Sequence, residues 1–237
     1  MPERRPGFAF KQFFVAHDQC AMKVGTDSIV LGSWVNPDKA QTILDIGTGS
    51  GLLALMMAQK SHNEVQILGI DIDHNAITQA RDNARLSPWP HKLVFEQRPL
   101  QQLQQHKHYD LIISNPPYFP HGQQFARQRQ QARHTSELEH SVLIAAVAGL
   151  LTWQGRFAYV LPVEPAETLI ELGKTAGLLL QRCLLLQSQP DKAPVRMLVE
   201  LAAKESQPMI ENLCIHQADG AYSQAYRQLC RDFYLNF

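Results

Sequence analysis

Short apolar runs alternate with amphipathic segments along most of the chain, and this alternation constrains the fold more than any other feature. Seven of the runs have the length and composition of strands, at 41–47, 65–71, 92–97, 109–115, 155–162, 178–187 and 195–203. Strands that alternate with helices form parallel sheets whose two faces are both covered. The sequence therefore predicts an α/β protein with a mostly parallel, seven-stranded sheet and helices on both faces.

Composition and charge narrow the class of protein. The 237 residues include 22 Lys and Arg and 22 Asp and Glu, so any contact with nucleic acid must come from local basic patches. The four cysteines form no Cys-x-x-Cys pair and show no zinc-ligand spacing, which predicts reduced thiols and no metal. No apolar run has the length of a signal peptide core or a membrane helix, so we expect a cytoplasmic protein without membrane contact.

A glycine-rich turn joins the first predicted strand to the helix that follows it. Gly47, Gly49 and Gly51 alternate with small residues where the predicted strand, 41–47, ends and the apolar helical segment, 50–60, begins. Glycine permits a positive φ and a close approach of the backbone to a ligand, and a helix N-terminus offers free N–H groups. Three glycines can also form a sharp turn without a ligand, so the interpretation depends on the neighbouring residues.

Two carboxylates make this turn more specific. Asp71 ends the second predicted strand, where a carboxylate can accept hydrogen bonds from both ribose hydroxyls of an adenosyl group. Asp45 precedes the loop and can either position it or meet a cationic amino group. The spacing Gly-x-Gly-x-Gly differs from that of dinucleotide binders and fits a ligand without a pyrophosphate, which predicts S-adenosylmethionine. Asp73 is expected to cap the next helix.

A second element, Asn115, Pro116, Pro117 and Tyr118, follows the fourth predicted strand. Proline cannot continue a sheet, so the chain leaves at the carboxyl end of the strand, where open α/β sheets bind ligands. The side-chain carbonyl of Asn115 and the backbone carbonyl of Pro116 provide two acceptors for the two donors of an NH2 group. Such acceptors stabilise the positive charge that develops on an aromatic amine during attack, and Tyr118 offers a ring on which a base can stack.

Three segments together resemble the class I, Rossmann-like methyltransferases that modify planar nitrogens: DIGTGSGLLAL, GIDID and DLIISNPPY. The N-terminal segment FKQFFVAHDQCAMKVGTDSIVLGSW resembles, more closely, the bacterial tRNA-1(Val) adenine-37-N6 methyltransferase family. The C-terminal YSQAYRQLCRDFYL is similar to the same family, so the resemblance covers nearly the whole chain.

The resemblance implies a monomeric, S-adenosylmethionine-dependent enzyme of Rossmann-like methyltransferase fold that methylates the N6 amine of adenine 37 beside the anticodon of a valine tRNA. We also expect an N-terminal cap segment, 1–35, before a methyltransferase domain, 36–237. The residues that match the cofactor-binding and catalytic motifs of the family are Lys23, Gly25, Thr26, Asp27, Gly47, Gly49, Gly51, Asp71, Asn115, Pro116, Pro117 and Tyr118.

The chain departs from the related enzymes after the third predicted strand. Those enzymes have an Asp there that meets the adenine amine of the cofactor, whereas this chain has Pro99 after Glu96, Gln97 and Arg98. Either backbone groups, Gln97 or water hold that amine, or the affinity for the cofactor is reduced.

Arg127, Arg129 and Arg133 follow Tyr118 with no acidic residue before Glu137. We hypothesise that they contact tRNA phosphates beside the target base; the alternative is a solvated loop.

Three other functions stay open on the sequence alone. The Asn-Pro-Pro-Tyr element suits any planar NH2 group, so the substrate can be a protein glutamine amide, or an amine of DNA or ribosomal RNA. A glutamine methyltransferase would need a peptide-binding N-terminal domain, for which 35 residues are too few. A non-enzymatic RNA-binding module with a degenerate cofactor pocket is supported only by the departure at Pro99.

Overall fold

A computed structural model describes residues 5–20, 22–103, 108–116 and 140–237 of the chain. The described strands of its central sheet are β3 (Thr42–Ile46), β4 (Gln66–Asp71), β5 (Leu93–Gln97), β6 (Tyr109–Ser114), β7 (Leu151–Leu161), β8 (Leu179–Gln187), β9 (Arg196–Ala202) and β10 (Met209–Cys214). They lie in the order β10-β8-β9-β7-β6-β3-β4-β5. Only β9 runs antiparallel to its neighbours among these strands, which confirms the mostly parallel α/β sheet.

The described sheet has eight strands, so the prediction of seven was wrong. The additional strand is β10, which pairs parallel to β8 at the edge of the sheet. Met209 and Ile210 of this strand are 60% and 65% exposed, and Leu213 is its buried apolar side chain. An edge strand with so little buried surface lacks the apolar run by which the other strands are recognised.

Helices cover both faces of the sheet, as the alternating pattern predicts. The helices among the described residues are α1 (Thr26–Trp34), α2 (Leu52–Lys60), α3 (His74–Arg85), α4 (140–150), α5 (Val163–Thr175) and α6 (Gln224–Cys230). Side chains of α1, α2, α3 and α6 share one core with strand residues such as Ile43. Side chains of α4 and α5 share a second core with the neighbouring Leu44. Successive strand residues thus point to opposite helical layers.

The N-terminal segment packs against the C-terminal segment. A hairpin of β1 (Gly7–Ala9) and β2 (Phe14–Ala16) places Phe10 and Phe13 in ring contact with Phe233. The backbone N–H of Lys11 donates to the Phe233 carbonyl at 2.9 Å. Helix α1, which also precedes residue 35, contributes to the core shared with the sheet. The division of the chain into 1–35 and 36–237 stays a prediction.

The buried carboxylate of Glu200 forms ion pairs that connect three strands of the sheet. Glu200 on β9 is 5% exposed, and its carboxylate lies 3.2 Å from the Arg156 guanidinium of β7 and 3.7 Å from that of Arg182 on β8. Arg182 also lies over the Trp34 ring at the end of α1, 3.9 Å from its centroid. This arrangement ties the first helix to the antiparallel part of the sheet.

We expect Glu200→Ala to lower the free energy of unfolding by roughly 2–4 kcal/mol, because the partly buried Arg156 guanidinium would lose the counter-charge that Glu200 supplies. Arg182 would keep the more distant carboxylate of Glu211, 3.9 Å away. Both guanidiniums are about a quarter exposed, which keeps the effect below that of a fully buried pair. Urea denaturation measures the change, with Glu205→Ala at an exposed position as the control. Equal midpoints for the two variants would contradict a stabilising role for this carboxylate.

Candidate functional site

The glycine loop and Asn115 lie side by side at the carboxyl edge of the sheet. Strands β3 and β6 are parallel neighbours, with Ile46 paired to Ser114, and the Ser114 hydroxyl donates to the Ile46 carbonyl at 2.8 Å. The chain order reverses between these two strands, because β4 lies beyond β3 and β7 lies beyond β6. Such a switch point is where open α/β sheets bind ligands. Gly47 and Asn115, the next residues of each strand, therefore leave the sheet at that point.

The three glycines of the loop serve two different purposes. All have positive φ, at 68° for Gly47, 54° for Gly49 and 82° for Gly51. A Cβ added at Gly47 or Gly49 would meet no heavy atom of the described residues within 4 Å, so both positions border space that the described part of the chain leaves open. A Cβ at Gly51 would lie 3.1 Å from the Phe95 ring and 3.2 Å from Ala80. The first two glycines leave room for a ligand, and the third permits the loop to pack against β5 and α3.

Asp71 is held at the rim of the glycine loop. One carboxylate oxygen accepts from the Gly49 N–H at 3.0 Å, and the other accepts from the Asp73 N–H at 3.0 Å. These bonds fix the orientation of a partly exposed carboxylate beside the open space above Gly49. Asp73 instead accepts from the Asn75 N–H at 2.9 Å and caps α3, which confirms its predicted structural role.

Asp45 supports the loop from below. Its side chain is fully buried, and one oxygen accepts from the Thr48 hydroxyl at 2.6 Å and from the Ala54 N–H at 3.1 Å. The other oxygen has no hydrogen-bond partner among the described residues. Burial raises the pKa of this carboxyl group to about 7. The geometry explains how Asp45 positions the turn, while its contact with a cofactor stays a prediction.

The raised pKa of Asp45 gives the protein a pH-dependent stability. An unfolded Asp has a pKa of about 3.9, so between about pH 4 and 7 the folded state keeps a proton that the unfolded state has released. The free energy of unfolding should fall as the pH rises through this window, by on the order of 3–4 kcal/mol from this group. Asp45→Asn removes the titration, so its stability relative to the unsubstituted protein should improve between pH 5 and pH 8. Parallel pH profiles in urea denaturation would contradict this expectation.

The side-chain amide of Asn115 is hydrogen-bonded at Nδ2, and the described residues leave Oδ1 without a partner. Its Nδ2 donates to the Ser28 hydroxyl of α1 at 2.9 Å. Its Oδ1 is buried and has no partner among the described residues. A buried acceptor without a partner costs about 1–3 kcal/mol, so a ligand that brings a donor to this oxygen is stabilised accordingly. Pro116 follows and is buried, which anchors the chain where it leaves the strand.

The segment that contains Lys23, Gly25, Thr26 and Asp27 reaches the same edge of the sheet. Lys23, Gly25 and Thr26 are exposed at or just before the start of α1. The first turn of this helix contains Ser28, which contacts Asn115. The Asp27 carboxylate accepts from Arg196 Nε at 2.7 Å, at the start of β9. The structure thus brings this segment, the glycine loop and Asn115 to one region. Pro117, Tyr118, Arg127, Arg129 and Arg133 lie outside the described residues.

Asn83 is a supporting residue that the sequence did not single out. Its buried amide donates to the carbonyls of Ser50 and Ala16, at 2.8 and 2.9 Å, and accepts from the Ala16 N–H at 3.0 Å. It thereby joins α3 to the glycine loop and to strand β2. A polar residue on the buried side of a predicted helix was the available signal, because a buried amide requires partners.

The structure shows which contacts the polar side chains before Pro99 make. Gln97 is paired with Asp71 in the sheet, but its amide is engaged with the Ile72 carbonyl at 3.1 Å and with the His74 ring at 3.2 Å. The acid of this stretch, Glu96, forms an ion pair with Arg98 at 3.1 Å. No acid follows β5 before Pro99, so the carboxylate expected from the resemblance has no direct replacement there.

Within the described ranges, no group of three or more His, Cys, Asp or Glu side chains could hold a metal ion. None of the helices in the described part of the chain combines the length and hydrophobicity required to traverse a bilayer.

The comparison with solved structures agrees with this architecture. A crystal structure from Agrobacterium tumefaciens, described as a predicted O-methyltransferase, superposes with a TM-score of 0.65 at 18% identity over 87% of this chain and 96% of the other. A family model described as Methyltransferase small domain matches residues 19–163. Fold, glycine loop and family match together define a methyltransferase of class I, Rossmann-like fold.

Similarity to curated proteins identifies the family within this class. A tRNA1(Val) (adenine(37)-N6)-methyltransferase of Tolumonas auensis is 46% identical, with 96% of each chain covered. One of the same name from Pseudoalteromonas atlantica is 44% identical, with 99% of this chain and 100% of the relative covered. The chain belongs to the tRNA1(Val) (adenine(37)-N6)-methyltransferase family.

Proposed function

We propose that this protein transfers a methyl group from S-adenosylmethionine to the N6 amine of an adenine in tRNA. The observation that carries the proposal is the buried Oδ1 of Asn115, which has no partner among the described residues and lies beside the open glycine loop. The names of the relatives support tRNA as the substrate and adenine 37 of a valine tRNA as the target. Action on tRNA implies a cytoplasmic enzyme, and we propose that it acts as a monomer.

Asn115 would act on the amine by orienting it. The lone pair of an exocyclic adenine nitrogen is delocalised into the ring, which makes the amine a poor nucleophile. A hydrogen bond from one N–H to Asn115 Oδ1, and one from the other N–H to the Pro116 carbonyl, favours the tetrahedral nitrogen of the transition state. Holding the amine in line with the methyl group lowers the entropic part of the barrier.

The cofactor fits the residues at the loop. S-adenosylmethionine, when bound, supplies a methyl group activated by a sulfonium. The open space at Gly47 and Gly49 accommodates a ligand against the backbone, and the Asp71 carboxylate is fixed where it can accept from ribose hydroxyls. Lys23, Gly25, Thr26 and Asp27 provide polar groups for the methionine end, according to the family motif.

The predicted RNA contacts rest on the sequence and on the chemistry of the target. An adenine must leave its stack to reach the edge of the sheet, and Tyr118 offers a ring for it to stack on. Arg127, Arg129 and Arg133 would then contact phosphates beside the target nucleotide.

The test is methyl transfer from methyl-labelled S-adenosylmethionine to total tRNA, protein and DNA in separate reactions. Nucleoside mass spectrometry of the tRNA should find label in N6-methyladenosine, and fractionated tRNA should carry it in a valine isoacceptor. Label confined to protein glutamine or to DNA would overturn the assignment of the substrate. No transfer to any of the three, together with no binding of S-adenosylmethionine in calorimetry, would favour the non-enzymatic alternative.

A further inference from the structure

The first turn of α1 makes the contact that orients the Asn115 amide. Ser28 is separated from Asn115 by 87 residues in the chain, and its hydroxyl accepts from Asn115 Nδ2 at 2.9 Å. The opposite atom of the amide, Oδ1, is buried and unpartnered among the described residues. Ser28 itself is partly buried, and the next residue, Ile29, is 2% exposed in the core. The hydroxyl is therefore presented to Asn115 by a helix that is packed in place.

The identity of the contacting amide atom matters for the reaction. A side-chain amide has nearly the same shape after a half turn, but the turn would exchange an acceptor for two donors. An amide with Nδ2 towards the substrate would oppose the donors of the adenine amine. In the productive orientation, Nδ2 points away from the substrate and needs an acceptor in a partly buried place. Ser28 supplies that acceptor.

We infer that Ser28 is a positioning residue, which holds the Asn115 amide with Oδ1 directed to the substrate amine. The inference deepens the proposed function and rests on it, because it concerns the same amine. Ser28 has no contact with the reacting atoms in this scheme, and its contribution passes entirely through Asn115. Removal of its hydroxyl should therefore slow the chemical step more than it weakens either binding step.

The kinetic test compares Ser28→Ala, Ser28→Thr and the unsubstituted protein with S-adenosylmethionine and valine tRNA. We expect Ser28→Ala to lower kcat about 10-fold, with KM for tRNA and Kd for S-adenosylmethionine changed by less than about 3-fold. Ser28→Thr keeps a hydroxyl and should restore most of the lost kcat. Ser33→Ala removes a hydroxyl from the last turn of the same helix and is the matched control. An unchanged kcat in Ser28→Ala, or an equal loss in Ser28→Thr, would overturn the inference.

A second measurement does not depend on activity. The side-chain amide signals of Asn115 in a proton–nitrogen NMR spectrum are assigned by their absence in Asn115→Ala. If Ser28 holds Nδ2, these protons should exchange with solvent at least about 10-fold faster in Ser28→Ala than in the unsubstituted protein or in Ser33→Ala. Equal exchange rates would overturn the inference whatever the kinetics. Absence of tRNA methylation by the unsubstituted protein would instead refute the proposed function, and the exchange rates would still decide the role of Ser28.

Discussion

Asn115→Ala is expected to lower kcat by roughly 10²–10³-fold, because it removes the acceptor that stabilises charge on the adenine amine in the transition state. The affinity for S-adenosylmethionine should change little, because the geometry of the glycine loop depends on Asp45, Asp71 and the glycines rather than on the Asn115 amide. Steady-state methylation of valine tRNA measures kcat, and calorimetry with S-adenosylmethionine measures the affinity for the cofactor.

Asn212→Ala is the matched control for this substitution. Asn212 is exposed on the edge strand β10, so its replacement should leave both kcat and cofactor affinity unchanged. Residual activity of Asn115→Ala within about 5-fold of the unsubstituted protein would show that the side-chain acceptor is dispensable. An equally large loss of cofactor binding would show that Asn115 acts mainly on the cofactor.

Asp71→Ala should raise the Kd for S-adenosylmethionine by roughly 10²–10³-fold. Two hydrogen bonds from ribose hydroxyls to a carboxylate are together worth about 3–4 kcal/mol, which corresponds to that change in Kd. The substitution also removes the acceptor of the Gly49 N–H, so the loop loses one of its supports. Calorimetric titration with S-adenosylmethionine measures the effect.

Asp73→Ala separates the ligand effect from a general loss of an acidic side chain. Asp73 lies two residues further along and caps α3, so its replacement should cost about 1 kcal/mol of stability with little change in Kd. If both variants weakened binding equally, the assignment of Asp71 to the ribose would be contradicted.

The sequence predicted those features that depend on local pattern. The apolar run that ends at Asp45 and Ile46, and the one that ends at Ser114, identify parallel strands whose carboxyl ends meet at one edge. Glycine at 47, 49 and 51 predicted a turn with positive φ, which the structure has at all three positions. Proline at 116 predicted where the chain leaves the sheet.

Contacts between distant segments could not be predicted in this way. Ser28 meets Asn115, and Asp27 meets Arg196, although 87 and 169 residues separate the partners. No periodicity or spacing encodes these pairs, because they depend on how α1 packs across the sheet. Strand β10 was not predicted for a different reason. It lies at the exposed edge of the sheet and buries few side chains, so its sequence lacks the apolar run that identifies a strand.

A crystal structure with S-adenosylhomocysteine and the unmodified anticodon stem-loop of the valine tRNA would show directly whether Asn115 holds the substrate amine. We expect the target adenine N6 to lie about 2.8–3.1 Å from Asn115 Oδ1, on the side that faces the cofactor bound at Gly47 and Gly49. An adenine amine bound away from this oxygen, or a cofactor bound away from the glycine loop, would contradict this prediction.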